Sequence, residues 1–181
     1  MTKEMEEQKY LQSARITLRA PEPTDIDFMF HIENDTRMWN VSACKTPYSR
    51  YLLHKYITEN SHDIYTDRQL RLMIETTNGE IAGAIDLIDF NPTSRRAEVG
   101  IVIEKERREK GYANETLELV KQYASEILDL HQLYAYVFTD NLAACKLFKN
   151  AGFSVTAELK DWEFRNKKYR DVYLFQLILE Q

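Results

Sequence analysis

No run of residues in this sequence approaches the ~20 consecutive apolar residues that a membrane-spanning helix needs. The opening stretch, Met1 to Gln12, is charged and lacks the apolar centre of a secretory signal. No membrane partner is expected, and the cytoplasm is the expected location. Cysteine is scarce. Cys44 and Cys145 are too few for a disulfide framework, and a reducing compartment is the simplest setting. Cys145 falls within a predicted helix, where a buried, inert thiol is expected. An excess of basic charge is also missing. The formal net charge of −5 argues against a broad phosphate-neutralising surface, so no nucleic-acid partner is expected. No metal site is expected either.

The chain has 181 residues, 44% of them hydrophobic, which suits one globular domain with a substantial core. Residues 1–12 read as an arm or a short first helix, and 13–181 as a single domain without repeat or linker. Its acidic surface would tolerate or attract a cationic substrate.

Arg15 to Arg19 alternates polar and apolar, the period of a strand, and Pro21 and Pro23 end it. Thr24 with Asp27 fits a capping box for a helix bearing Ile26, Met29 and Phe30 on one face. Pro47 suits the first turn of a second helix carrying Leu52, Leu53, Tyr56 and Ile57. Gln69 to Thr76, a turn at Asn78-Gly79, Ile81 to Phe90, and Arg96 to Ile103 form an antiparallel meander. That order disfavours a dinucleotide-binding βαβ unit. A long helix to about Leu128 follows, then a strand from Leu133 to Phe138. Asp140 or Asn141 caps a further helix that Gly152 ends. Ser154 to Phe164 and Tyr169 to Leu179 close the chain as a hairpin around Asn166.

Between the strand ending at Ile103 and the long helix lies Arg108-Glu109-Lys110-Gly111-Tyr112-Ala113. A turn there lays several backbone N–H groups at a helix start, where the helix dipole adds partial positive charge. Gly111 permits backbone angles closed to other residues and lets a ligand approach. A solvated basic helix start would show the same residues, so both readings stand on local spacing alone.

The order of these pieces is similar to the GNAT superfamily of acetyl-CoA-dependent N-acetyltransferases, from Ile16 to about Leu179. The similarity is carried by Arg95 to Ile103, Arg108 to Ala113, Asn141 to Ala144, and Leu147 to Phe153. Within the superfamily the chain most resembles the spermidine and ribosomal-protein-alanine acetyltransferase branch, which Glu163-Phe164 and Tyr169-Arg170-Asp171 also fit. The resemblance implies an α+β fold: a mostly antiparallel, strongly twisted sheet of about six or seven strands flanked by helices. It also implies a splay between the fourth and fifth strands. Acetyl-CoA is the implied donor. Its pyrophosphate would lie on Arg108, Glu109, Lys110, Gly111, Tyr112 and Ala113. Its pantetheine arm would pair with Ile101, Val102 and Ile103, with Asn141 and Phe148 beside it. The amine acceptor would arrive near Glu98, Val99, Gly100 and Asp89. Apart from the resemblance, Glu33 is a candidate amine contact and Trp39 a candidate wall for an aliphatic stem, with an ordinary core or surface role as the alternative.

An alkyl amine of pKa ~10.4 is mostly protonated at neutral pH, and freeing its lone pair costs about 4–5 kcal/mol. Glu98 is the first candidate to accept that proton, then Asp89, then Asp86; a surface or structural role for Glu98 is the alternative. A backbone N–H of the splayed strand, Val102, is the expected oxyanion donor. Relatives often carry a tyrosine at the position of Phe148 to protonate the departing thiolate, and phenylalanine has no proton to give. Either no acid is needed, or Tyr134, Tyr136 or Tyr112 serves. Spermidine-type enzymes also carry acids in the loop matching Ala43 to Thr46, where this chain has Lys45. The expected acceptor is a polyamine, another small amine or a protein N-terminus. The competing reading is a non-catalytic coenzyme A or polyamine sensor. Assembly into a homo-oligomer is left open.

Overall fold

A computed structural model describes residues 10–36, 46–61, 63–165 and 167–179. Trp39, the loop from Ala43 to Lys45, the hairpin tip at Asn166 and most of the N-terminal arm lie outside the described residues. Chain order begins with β1 (Ile16–Arg19), α1 (Ile26–Glu33), α2 (Arg50–Glu59) and α3 (Ile64–Asp67). The meander follows as β2 (Leu70–Thr76), β3 (Ile81–Asn91) and β4 (Arg96–Ile103). Then come α4 (Tyr112–Glu126), β5 (Gln132–Phe138), α5 (Leu142–Asn150), β6 (Ser154–Arg165) and β7 (Lys168–Ile178).

The strands make one seven-stranded sheet in the order β1-β2-β3-β4-β5-β7-β6. Every neighbouring pair is antiparallel except β4 and β5. Both faces of the sheet are covered. Leu72 and Ile74 of β2 join Leu117, Val120, Leu133 and Phe175 in the larger core. Met73, between them, points the other way and packs with Met29 of α1, Leu53 and Ile57 of α2, and Ala84. Alternation along β2 therefore separates two apolar layers rather than core from solvent. Among the described residues, no helix is long and apolar enough to cross a membrane.

Two helix starts differ from the sequence expectation. The turn before α1 is a 3-10 segment, Pro23–Asp25, and Asp25 rather than Asp27 returns to the chain, accepting from the Glu22 N–H at 2.7 Å. Asp25 is drawn in because Arg19, at the end of β1, donates to both of its oxygens, at 2.7 and 3.0 Å. Burial alone would raise the Asp25 carboxyl, but the bonds from Arg19 and Glu22 outweigh it and hold the group below its ordinary value. At α2 the cap is Ser49, whose hydroxyl accepts from Leu52 N at 3.1 Å. Pro47 lies ahead of the cap, because it is the serine oxygen that satisfies a free helix amide. At α5 the cap is Asn141, accepting from Ala144 N at 3.2 Å.

One seam of the sheet is short. β4 pairs with β5 only at Arg96–Gln132, Ala97–Leu133 and Glu98–Tyr134. Beyond Glu98 the two parallel strands part, leaving Val99 to Ile103 and Ala135 to Phe138 on facing edges.

Candidate active site

The parted strands open into a cleft of about 1800 Å3. Its backbone chemistry follows from strand alternation. Glu104 N donates to Ala82 O at 2.9 Å, so even-numbered residues of β4 turn their peptide groups toward β3. The amides of Ile101 and Ile103 therefore lie on the open edge. Val102 does not: its carbonyl is so close to β3 that a Cβ on Gly83 would sit 2.1 Å from it. The expectation of a Val102 N–H aimed into the cleft is corrected accordingly, although Val102 still lines it. The Ile103 carbonyl, on the open edge, accepts from Arg108 Nε at 3.1 Å.

The turn between β4 and α4 begins with a 3-10 segment, Lys105–Arg107, and ends at Gly111, whose φ of +86° makes it the left-handed residue next to α4. Gly111 offers no side chain to cap the helix, so the first-turn amides are left for a ligand. Arg108, Glu109, Gly111, Tyr112 and Ala113 line the cleft, while Lys110 is not part of its wall. The Lys110 carbonyl instead accepts from Arg15 Nη1 at 3.0 Å. Arg15 also pairs with Glu115 of α4 and lies 5.4 Å from the centre of the Tyr112 ring. This residue, just ahead of β1, straps the turn in place; sequence reasoning missed it. Open-edge amides and an uncapped helix start are the donor set that an acyl-carrying pantetheine and a pyrophosphate require, so the residues present fit acetyl-CoA.

Asn141 and Phe148 line the cleft from α5. Phe148 is also core: it is 4% exposed, meets Phe153 edge-on at 5.1 Å, and lies 5.8 Å from Phe175.

The side chains of Glu98 and Val102, and the Cα hydrogen of Gly100 between them, share the face covered by α1 and α2, because Val102 packs there. Val99 faces the opposite core and contributes only backbone to the acceptor side. Glu98 is half-buried on the cleft wall. Burial, and then the charge of Asp89, push its carboxyl above the ordinary value. Asp89 sits at a bulge in β3 with φ of +48° and accepts from the Tyr134 hydroxyl at 2.5 Å. Burial and then that bond raise the Tyr134 phenol, which lies off the cleft wall. Tyr136 is on the wall, 43% exposed. Glu33 and Asp86 also line it, but Arg71 holds both, at 2.5 Å and at 2.7 and 2.8 Å. Burial opposes the Arg71 charge, and the hydrogen bond and charge of Asp86, then Glu33, more than offset it.

On β6 the sequence marked only Glu163-Phe164, as a feature of the branch and not of the site. There the pairing with β7 shifts between Leu159 and Glu163, and the bulge aims Trp162 over β5, where it stacks on Tyr136 at 6.3 Å. Arg165 lines the same cleft at 8% exposure. A bulge of this kind leaves no period in the sequence by which it could have been found.

Comparison with known proteins agrees with this geometry. The acetyltransferase (GNAT) domain family matches residues 15–154. The chain is 31% identical to the spermidine N(1)-acetyltransferase of Escherichia coli K12, over 86% of this chain and 82% of that one. It is 28% identical to the Vibrio cholerae spermidine N(1)-acetyltransferase, over 88% and 91%. The crystal structure of spermidine N-acetyltransferase from Vibrio cholerae in complex with CoA and spermine superposes with a TM-score of 0.77, at 27% identity over 92% of this chain and 97% of that one. With the split seam, the glycine-led helix start and this match in hand, the chain belongs to the GNAT family and is an acetyl-CoA-dependent N-acetyltransferase.

Proposed function

We propose that the acceptor is a primary alkyl amine, docked on the α1–α2 face, and that Glu98 receives its proton. The observation that carries this is the place of Glu98. It is the last β4 residue paired with β5 before the strands part, half-buried and held above its ordinary pKa. A carboxylate with raised proton affinity is the better base near neutral pH. Acetyl-CoA supplies the activated carbonyl and a thiol leaving group. The amine nitrogen forms the new C–N bond as the C–S bond breaks. Glu98 takes the amine proton, directly or through one water, and returns it to solvent. A thiol pKa of ~8.5 makes a dedicated acid dispensable, which accommodates Phe148.

The relatives named for spermidine make polyamine-type amines the first acceptors to try. Gly100, opposite Asp86, leaves room beside Glu98, and Asp89 adds negative charge behind it. Open-edge amides at Ile101 and Ile103 would take the donor's arm, with Asn141 beside them and the Arg108–Ala113 turn on the pyrophosphate. The Vibrio cholerae enzyme has been seen as a dodecamer, and we extend homo-oligomeric assembly to this chain.

Glu98→Gln tests the assignment. Its kcat/KM for an alkyl amine should fall about a hundred- to ten-thousandfold. In the parent protein, activity is lost as pH falls through the raised Glu98 pKa, so the acid limb lies above the ordinary carboxylate range. That limb should vanish in the variant. An unchanged rate and limb would remove Glu98 as base. Acetyl-CoA binding without turnover of any amine would favour the sensor reading.

A further inference from the structure

We infer that the cleft reads a carboxylate on the acceptor, remote from the reacting amine, through Arg165. This rests on the acetyl-transfer reading above and narrows its acceptor class. Arg165 Nη2 meets Glu163 Oε2 at 3.2 Å, while Nε and Nη1 are buried without a hydrogen-bond partner. Among the described residues, the only other buried side-chain polar atom left unpaired is Thr116 Oγ1. Burying charged donors unpaired is costly, and a guanidinium is the side chain best shaped to hold a carboxylate.

Register places Arg165 on the acceptor face. Glu98 lies opposite Tyr134, and Tyr136, two residues on, lies opposite Leu174 of β7. Val172 and Arg170 continue that face, Arg170 lies opposite Glu163, and Arg165 is two residues further. The Arg170 guanidinium, 3.8 Å from the Phe138 ring centre, confirms the facing. Side chains of Ile101 and Ile103 pack with the α4 core on the other face, away from Arg165.

Charge agrees. From Glu163 to Arg170 the described residues carry Arg165, Lys167, Lys168 and Arg170 against Glu163 alone, and Arg170 is already paired with Asp140. Stacked Tyr136 and Trp162 form an apolar wall between Glu98 and Arg165, along which an aliphatic or peptide stem can lie. Glu98 is level with Tyr134 and so with Gln176, and from Gln176 to Lys168, the β7 partner of Arg165, is about 26 Å of strand at ~3.3 Å per residue, which sets the scale of the separation of amine and carboxylate.

Oligoglycines of increasing length, each as free acid and as C-terminal amide, isolate the carboxylate while keeping amine and stem constant. The acid form should exceed the amide in kcat/KM by roughly ten- to hundredfold at one length. Arg165→Gln should bring that ratio to about one without raising KM for acetyl-CoA. Amides as good as acids at every length would overturn the inference, as would a preference that survives the substitution. So would a raised KM for acetyl-CoA, which would put a donor phosphate on Arg165 instead. Turnover of spermidine with no acid preference would leave acetyl transfer intact and sink this proposal. Should no amine be acetylated, calorimetry on the CoA-saturated parent protein still decides. Tighter binding of acid than amide supports the site, and equal binding overturns it. The parent-protein series also decides the matter if the variant does not fold.

Discussion

Arg15 and Glu98 show how differently two residues of one site are written in the sequence. Glu98 is visible because its neighbours form a recognisable run and it sits one step before an apolar stretch. Arg15 touches Lys110 across 95 residues, and nothing in its own surroundings announces that contact. Arg165 and Arg71 are hidden for the same reason. The acids at Glu33 and Asp86 were legible as acids, but their shared partner Arg71 was not. The Arg15 strap predicts a separable effect. Arg15→Ala should raise KM for acetyl-CoA about tenfold while kcat changes little, because the turn loses its anchor and the acceptor face is untouched. Steady-state kinetics with acetyl-CoA varied would show it, and Arg15→Lys should restore part of the loss. A fall in kcat at unchanged KM would put Arg15 in the chemistry instead.

At the scale of elements, the seven strands were placed closely: alternation marked β1 and β2, turn signals, an apolar run and β-forming residues marked the rest, and Arg96–Ile103 is where its apolar pattern placed it. Helix ends were less legible. Several residues near each start can cap, and tertiary partners chose among them: Arg19 selected Asp25. The short α3 and the 3-10 segment Lys105–Arg107 are too brief to show a period. The turn between β4 and α4 has two left-handed residues, Glu109 at φ +62° and Gly111 at φ +86°, and Gly111 is the one that leads into α4. Gly111→Ala would place a Cβ 3.2 Å from Arg15 Nη2 at a φ of +86°. The guanidinium can shift, but the backbone strain costs about 1 kcal/mol. Acetyl-CoA at a hundred times its Kd should stabilise the parent fold by about 2.7 kcal/mol. For a domain of this size that is a rise in Tm of about 5–10 °C. In Gly111→Ala the rise should fall below half of that. An undiminished rise, measured by thermal denaturation with and without acetyl-CoA, would remove the turn from donor binding.

For the molecule as a whole, the parted seam was legible only through resemblance, since no periodicity states where two strands separate. The two covered sheet faces do leave a trace in β2, where Leu72, Met73 and Ile74 are consecutive apolar residues, the run of a strand buried on both sides. The outer edge is another matter. Trp162, Phe164 and Tyr169 are 54%, 54% and 63% exposed on the hairpin that forms one of the two edges of the sheet. Exposed aromatics on an edge hairpin invite association. Light scattering at micromolar concentration should therefore return a mass several times the 21.4 kDa of one chain. A monomer throughout that range would contradict the assembly proposed from the dodecameric relative.

The brief junction between β4 and β5 has a mechanical meaning. Only three residue pairs join a four-strand half of the sheet to a three-strand half. The rungs missing from that ladder are the ones a peptide-like arm with its own amides could supply. If the donor's arm takes those places, as proposed above, the sheet is completed only on binding, and acetyl-CoA should stiffen it.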